Sequence, residues 1–386
     1  MNFPSSLTQK DKKRLVFLSL LGTLIEYYDY ALFGFFTPFL ARAFFPNPDT
    51  LTAFKNTFLV FALGSFAKVF GGFLFGFLGD SQGRIKALRS SIFLMACSTA
   101  AIGLIPSYQY IGSMAITLLV LCRILQGFSV GGESNVSLIY AMESSNPKSQ
   151  YFVNGLFNLT ILVGIFAASL SLLLLDYMIS WRIFFVIGGC VGIVFYTLRK
   201  YLGLNINAPE ASTQTSLFPK EIFKLYGQEL ISATLIFGSI GGLYHYSIIF
   251  LPHFLCSYTD IIDQSFYTYC FVVGSCCYGI GAFLSGTLTL KFSHAKMLVL
   301  SALFLVVLLL LQATLLYKEL FTFFLYSFAS FFIGFLTALI YPDINRIFLP
   351  IHRCRTISVA HNVGSFLLSG TTPFIVTTLW QYTRSM

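Results

Sequence analysis

Two full charges stand inside a stretch that otherwise reads as lipid-buried. The run from about residue 112 to residue 141 is apolar and long enough, at about 1.5 Å per residue, to cross a bilayer. Within it the sequence RILQGFSVGGE places Arg123 and Glu133. A charged side chain at the bilayer centre costs roughly 2.5–3.5 kcal/mol or more unless it faces protein or water and finds a partner. Gly127, Gly131 and Gly132 leave gaps through which a second helix backbone can approach. Charge on a tightly packed helix in lipid points to a path along which something is moved.

Three more charges share that depth. Glu26 lies eleven residues, about 16 Å, from the expected start of the first apolar run at residue 15, and Asp29 shares its helix face. Lys68 lies eleven residues from the end of the second run. The sum is three carboxylates (Glu26, Asp29, Glu133) against two cations (Lys68, Arg123). Desolvation and neighbouring cations pull such carboxyl groups in opposite directions, which suits a reversible proton carrier. A static network that only fixes helix packing is the other reading. Tyr27 and Tyr28 offer ring faces to an ammonium group, and equally serve as aromatic filler. Gln126, His245 and Asn362 complete the candidate pocket. His245 reads either as a satisfied core or cavity histidine or as a coupling residue.

Composition narrows the classes. Only 10% of residues are charged and 56% are hydrophobic, with mean hydropathy +0.78. Soluble domains carry about 25% charge, so the expected class is an all-α, polytopic membrane protein. The net charge of +9 is scattered over short loops, as cytoplasmic loops require, and no nucleic-acid partner is expected. The eight cysteines lie in or beside apolar runs without metal-ligand spacing, so no metal is expected. No HExxH or nucleotide loop is present, which argues against zinc metalloproteases and nucleotide-driven pumps.

The elements that must position these charges are eleven helices, near 15–40, 54–79, 88–106, 111–141, 153–177, 182–203, 228–256, 264–290, 296–317, 320–343 and 356–380. They divide into a six-helix bundle (1–203), a central loop (204–227) and a five-helix bundle (228–386). The expected cytoplasmic segments hold seventeen of the twenty-four Lys and Arg residues, Arg199 among them, and the external ones five; Lys68 and Arg123 lie within spans. That bias places the N-terminus in the cytoplasm. Eleven spans leave the C-terminus outside, and only a short apolar run follows Pro373, so a twelfth helix is expected to be missing.

Between the second and third helices stands GFLGDSQGRIKAL, in which Gly76, Asp80, Gly83, Arg84 and Lys86 fit G-x-x-x-D-x-x-G-R-x-[KR]. An Asp at a helix end beside Arg and Lys can form an ion-pair latch that makes in one conformation and breaks in another. A weaker echo, GTLTLKFSHAK, follows 210 residues later, with Leu290 in the place of the Asp and Ser293 in that of the second glycine. Such recurrence marks parallel halves. These residues resemble the major facilitator superfamily. More narrowly, GTLIEYYDYALFG, RILQGFSVGGE with Glu143 beyond it, Trp181-Arg182 and SGTTP at 369–373 resemble its metabolite:proton symporter branch. That branch includes proline/betaine, ketoglutarate, citrate and shikimate permeases. Lys68-Val69 stands where the branch has Arg-Pro, and Arg346 where it has Glu.

The resemblance implies a secondary transporter working by alternating access, with its site between the halves at mid-depth. It would sit in a bacterial inner membrane, as a monomer or weakly self-associated. The expected substrate is a proline- or betaine-like zwitterion first and a di- or tricarboxylate second, driven by the proton gradient with no cofactor. Channels are disfavoured by the lack of ring-forming filter segments. A degenerate homologue with no transport, or with a sensing role, is the alternative. Cysteines introduced at residues 204–227 are expected to react only with reagents on the cytoplasmic side; labelling of that stretch from outside intact cells overturns the orientation.

Overall fold

A computed structural model of the chain describes residues 8–45, 50–174, 180–202, 219–251, 264–314 and 319–369, together with Thr372. Among these residues there are thirteen α-helices and no β-strand. They are α1 (Gln9–Phe35), α2 (Thr37–Phe44), α3 (Thr50–Ser81), α4 (Arg84–Leu104), α5 (Tyr108–Ile111), α6 (Ser113–Glu143), α7 (Gln150–Leu173), α8 (Trp181–Leu202), α9 (Pro219–Tyr244), α10 (Gln264–Leu288), α11 (His294–Thr314), α12 (Glu319–Ile347) and α13 (Arg353–Gly364). Two π-helical segments, His245–Phe250 and Ser365–Ser369, continue α9 and α13.

The local chemistry explains most boundaries. Helix α1 starts six residues earlier than apolarity alone suggests, because Thr8 and Asp11 form a reciprocal capping box at 3.2 Å. The chain breaks at Phe36 and restarts with Pro38 in the first turn of α2. Gly83 adopts φ 94° ahead of α4, a conformation that an L side chain rarely takes. Part of the expected loop 204–227 is helix instead. From Pro219 onward the chain is helical, and Ile222, Tyr226, Leu230, Ala233 and Phe237 are buried at helical spacing, with the exposed Lys224 between the first two. Residues 204–218 lie outside the described set, as do Pro373 and the chain beyond it.

The chain forms two compact units. The first comprises Met1–Ser144, Val163–Leu225 and Phe348–Asn362; the second comprises Ser145–Leu162, Tyr226–Ile347 and Val363–Met386. In the first, α3 runs against α6, and α4 against α6 and α8. Its apolar end is an aromatic cluster in which Phe36 meets Phe184 at 5.6 Å and Phe44 meets Trp181 at 6.2 Å. Arg182 donates to the Gly103 and Ile105 carbonyls and to Ser107 Oγ, closing the C-terminal end of α4. In the second unit α10 and α11 pack against α12 around Leu305, Ala329, Ile333 and Leu336.

Seven of the described helices are long and apolar enough to cross a membrane. Each of the other four expected spans includes residues or side chains outside the described set. The outer surface agrees with lipid: Leu300, Leu303, Phe304, Val307 and Leu310 of α11 are all more than half exposed. A continuous apolar face of that extent does not persist in water.

The α3–α6 seam depends on glycine. A β-carbon on Gly127 would meet the Gly64 backbone, one on Gly131 the Lys68 carbonyl, and one on Gly132 the Phe75 side chain. The gaps expected from the sequence are therefore filled by backbone. Gly131→Leu is expected to lower thermal stability in detergent by the equivalent of about 1–3 kcal/mol or more. Gly34→Ala, where nothing lies within 4 Å, is the matched control and should leave stability within about 1 kcal/mol. Equal behaviour of the two variants would refute the close seam.

Candidate functional site

Five helices of the first unit bring the charged candidates together. Asp29 on α1 accepts hydrogen bonds from Thr99 Oγ1 of α4 at 2.7 Å and from Gln126 Nε2 of α6 at 2.9 and 3.0 Å. Gln126 in turn accepts from Arg123 at 3.0 Å, so the amide relays between cation and carboxylate. Arg123 lies with its guanidinium carbon 4.3 Å from the Phe33 ring centroid, a cation–π contact inside the protein. Asp29 is thus a fully hydrogen-bonded acceptor.

Glu26, one turn away and 2% exposed, is placed differently. Ser134 of α6 donates to its Oε1, whereas Oε2 is buried without a hydrogen-bond partner. Lys68 is the strongest charge acting on Glu26, yet no carboxylate stands within ion-pair distance of Lys68 among the described residues.

Glu133 corrects the charge balance expected from the sequence. It forms a 2.5 Å ion pair with Arg199 of α8, and Ser91 of α4 donates to its other oxygen at 2.6 Å. Arg199, counted above as a cytoplasmic loop cation, is 2% exposed and also donates to the Leu18 and Leu88 carbonyls. The cluster therefore holds three carboxylates and three cations. Gly22 of α1 makes room for the pair, since a β-carbon there would overlap the Arg199 guanidinium. An Arg close to a helix end is indistinguishable by composition from a membrane-flanking one, and only the burial of Glu133 opposite it marks the difference.

The pattern around residues 76–86 forms a second, separate constellation in the same unit. Asp80 pairs with Arg84 at 2.9 Å and accepts the backbone N–H groups of Cys354 and Arg355 at 3.1 and 3.0 Å. Those are the second and third residues of α13, so a carboxylate of α3 caps that helix. Arg84 also binds Glu143 at 3.1 Å and the Pro350 carbonyl at 2.6 Å, and Glu143 binds Arg353 at 3.0 Å. Burial, with the charge of Arg355 nearby, holds the His352 imidazole below its ordinary range, which keeps a cation away from the positive end of α13. Gly76 lets the backbone of Cys354 and Arg355 approach. Lys86 departs from expectation: it is exposed and points away from this network. Arg353 and the α13 amides were not legible as partners, because they lie some 270 residues away.

The remaining candidates scatter. The Tyr28 hydroxyl is held by Ser171 Oγ at 3.3 Å and the Phe184 carbonyl at 3.4 Å, and Tyr27 packs beside Gly164. Asn362 donates to the Gly131 and Lys68 carbonyls at 2.8 and 3.3 Å and accepts from Asn135. His245 belongs to the second unit, where its Nδ1 lies 2.9 Å from the Gly241 carbonyl and 2.7 Å from Ser369 Oγ. There too the acid missing at Leu290 has a counterpart. Asp343 of α12 accepts from Tyr151 at 2.6 Å and pairs with His294 at 3.1 Å, while Arg346 binds Tyr151, Gln150 and the Pro147 carbonyl.

Comparisons with known proteins find transporters of the same fold. Residues 15–202 match the family model described as "Sugar (and other) transporter". A provisionally named proline/betaine transporter of Staphylococcus aureus (strain COL) is 27% identical, covering 97% of this chain and 83% of its own length. The alpha-ketoglutarate permease of Escherichia coli (strain K12) is 32% identical over 58% of this chain, and the match spans 53% of that permease. The structure of the proton:xylose symporter XylE superposes with a TM-score of 0.72 at 14% identity, covering 98% of this chain and 90% of that one. The fold is that of the major-facilitator transporters, and these matched proteins are transporters, not enzymes.

The Glu133–Arg199 pair makes a direct prediction. Arg199→Met leaves a buried carboxylate without its cation and should cost about 3–5 kcal/mol. Adding Glu133→Gln to that variant should restore most of the loss. Thermal unfolding of the three purified proteins in one detergent measures it; independent, additive losses would show that the two groups do not form a pair.

Proposed function

We propose that this chain is a member of the major facilitator superfamily and a secondary active transporter that couples proton entry to uptake of a small organic metabolite. Glu26 carries the reading. Asp29 is satisfied by Thr99 and Gln126, and Glu133 by Arg199 and Ser91, so both are anchored acceptors. Glu26 Oε2 is buried with neither a hydrogen-bond donor nor an ion-pair partner among the described residues, whereas Glu133 Oε1, which also lacks a hydrogen bond, faces the Arg199 guanidinium at 2.5 Å. An ionised carboxylate in that position is costly, and a proton delivered to it removes the charge without breaking any pair. Lys68 then acts as the cation whose field Glu26 feels or loses as the proton moves.

Arg123, held through Gln126 against Asp29, is the group for a substrate carboxylate, and the relay sets its position. A zwitterion such as proline or betaine comes first, because the cluster is charge-balanced and has no excess of cations to select an anion. The S. aureus relative's printed name supports that order, and the E. coli permease's name supports a dicarboxylate as second choice. The XylE title supports protons as the coupling ion. Asp80, Arg84 and Glu143 gate the cytoplasmic side by capping or releasing α13. The N-terminus lies in the cytoplasm, and the bacterial sources of the relatives support the inner membrane. The alternative of a degenerate homologue loses one of its supports, because Asp343, held by Tyr151 and His294, supplies the second unit with an acid where the repeat has Leu290.

Glu26→Gln should abolish accumulation of labelled substrate against its gradient while preserving exchange across proteoliposomes. Asp29→Asn should weaken both, since it also disturbs Gln126 and Arg123. Normal concentrative uptake by the Glu26→Gln protein, with proline, betaine and 2-oxoglutarate all tried, would sink the assignment.

A further inference from the structure

A pocket of about 340 Å³ opens on the outer surface of the first unit, between the start of α4 and the end of α8. It has no part in the buried cluster or the α13 cap. Its polar wall is Gln82, Lys86, Arg89 and Ser90; its floor is Phe93 and Tyr196, whose rings meet at 5.2 Å. Lys86, Arg89, Ser90 and Phe93 recur at helical spacing, so they share one face of α4.

The two cations are uncommitted. Arg84, one turn earlier, is consumed by Asp80 and Glu143, and Arg199 by Glu133. Among the described residues no carboxylate pairs with Lys86 or Arg89. Arg89 instead lies with its guanidinium carbon 5.9 Å from the Tyr196 ring centroid, and its Nε is buried with no hydrogen-bond partner. The first turns of α4 add the positive end of a helix dipole. Two cations, a hydroxyl and an orphaned guanidinium N–H around a small cavity describe an anion site, and a planar fork beside a point charge suits phosphate.

The surroundings decide which phosphate. Arg89 lies about 7–8 Å and Phe93 about 13 Å along α4 from its first residue, which spans the headgroup layer and the upper acyl region. Phe93 is 47% exposed, and beyond it Cys97, one turn further along α4, and Ile193, three residues before Tyr196 on α8, are also exposed. A soluble phosphate would use the cations and leave this apolar track empty. A lipid fills both. Basic pockets between membrane helices on the cytoplasmic side are the recurrent form of such sites. We propose that this pocket binds the phosphodiester headgroup of an anionic membrane lipid, with an acyl chain laid along Phe93 and Ile193.

The test uses full-length purified protein, stripped of lipid in detergent and examined by native mass spectrometry with matched-chain phosphatidylglycerol and phosphatidylcholine. Wild-type protein should retain phosphatidylglycerol roughly thirtyfold more tightly, the value for two interfacial cations. K86Q/R89Q should lose that preference and keep binding of phosphatidylcholine unchanged. Equal retention of the two lipids by wild type, or an undiminished preference in the double variant, overturns the proposal. Should the double variant fail to fold, competition on wild type decides: phosphatidylglycerol retained in excess inorganic phosphate supports a lipid site, and displacement by phosphate alone makes it a soluble-anion site and refutes the lipid.

Discussion

The first unit is organised by the cost of placing charge where water is absent. Glu133 and Arg199 each carry a full charge at a position almost closed to solvent, and either one alone would destabilise the fold by several kcal/mol. Their 2.5 Å contact therefore dictates how three other helices lie. Helix α8 must bring Arg199 over α6, α4 must present Ser91 to the second oxygen, and α1 must carry glycine at position 22 to let the guanidinium pass. Once those helices are fixed, Glu26 and Asp29 on α1 face α6 and α4, and their different degrees of satisfaction follow. A rigid pair beside an under-satisfied carboxylate separates the group that holds the bundle from the group free to change protonation.

The same constraint explains why α3 and α6 meet through glycine. Ridges of side chains would hold the axes apart by 8–10 Å, and Lys68 would then sit too far from α1 to act on Glu26. Gly64, Gly127 and Gly131 let backbone meet backbone, and that approach carries Lys68 into the cluster. Asn362 bonds to the carbonyls of Lys68 and Gly131 on either side of the seam, so α13 registers the α3–α6 contact directly. At the other end of α13, Asp80 caps its first amides. One helix is thus held at both ends by α3, through a neutral amide and through a carboxylate that a change in charge or geometry can release.

Much of this was legible in the residues. Apolar runs gave most of the described helix boundaries to within about four residues, the starts of α1 and α9 excepted, because lipid imposes a minimum length and a high hydropathy on every span. The glycines at 127, 131 and 132 and the acids at 26 and 29 stood out, because each violates the surrounding composition. What failed did so for a physical reason. Arg199 sits in the last turn of α8, where a basic residue is ordinary, so its burial depends on a partner 66 residues away in sequence. Residues 219–227 read as loop because their average is polar, although Ile222 and Tyr226 already keep a helical period. Lys86 fitted the spacing of the gating pattern, yet α4 turns it to the opposite face from Arg84. Spacing selects a face only when the helix start is known, and Gly83 sets that start through its backbone.

The second unit shows the same logic with the positions exchanged. The repeat of the α3–α4 pattern has Leu290 where the first copy has Asp80, and by sequence the acid is lost. In space the function of an acid at that place is met by Asp343 on α12, paired with His294 from inside the repeat itself and hydrogen-bonded by Tyr151 at the start of α7. Arg346, which by sequence stands where an acid was expected, then becomes intelligible: it faces Asp343 at 3.8 Å and fastens Gln150 and the Pro147 carbonyl. The acid of this corner therefore faces an imidazole and an Arg, where Asp80 faces an Arg and two backbone amides. In the first unit the capping carboxylate is shut away from water, whereas the Asp343 and His294 side chains are 36% and 39% exposed. An exposed pair is worth about 0–1 kcal/mol, a fraction of a buried one. The two corners are therefore unequal fastenings, and the one built on Asp80 is the stronger.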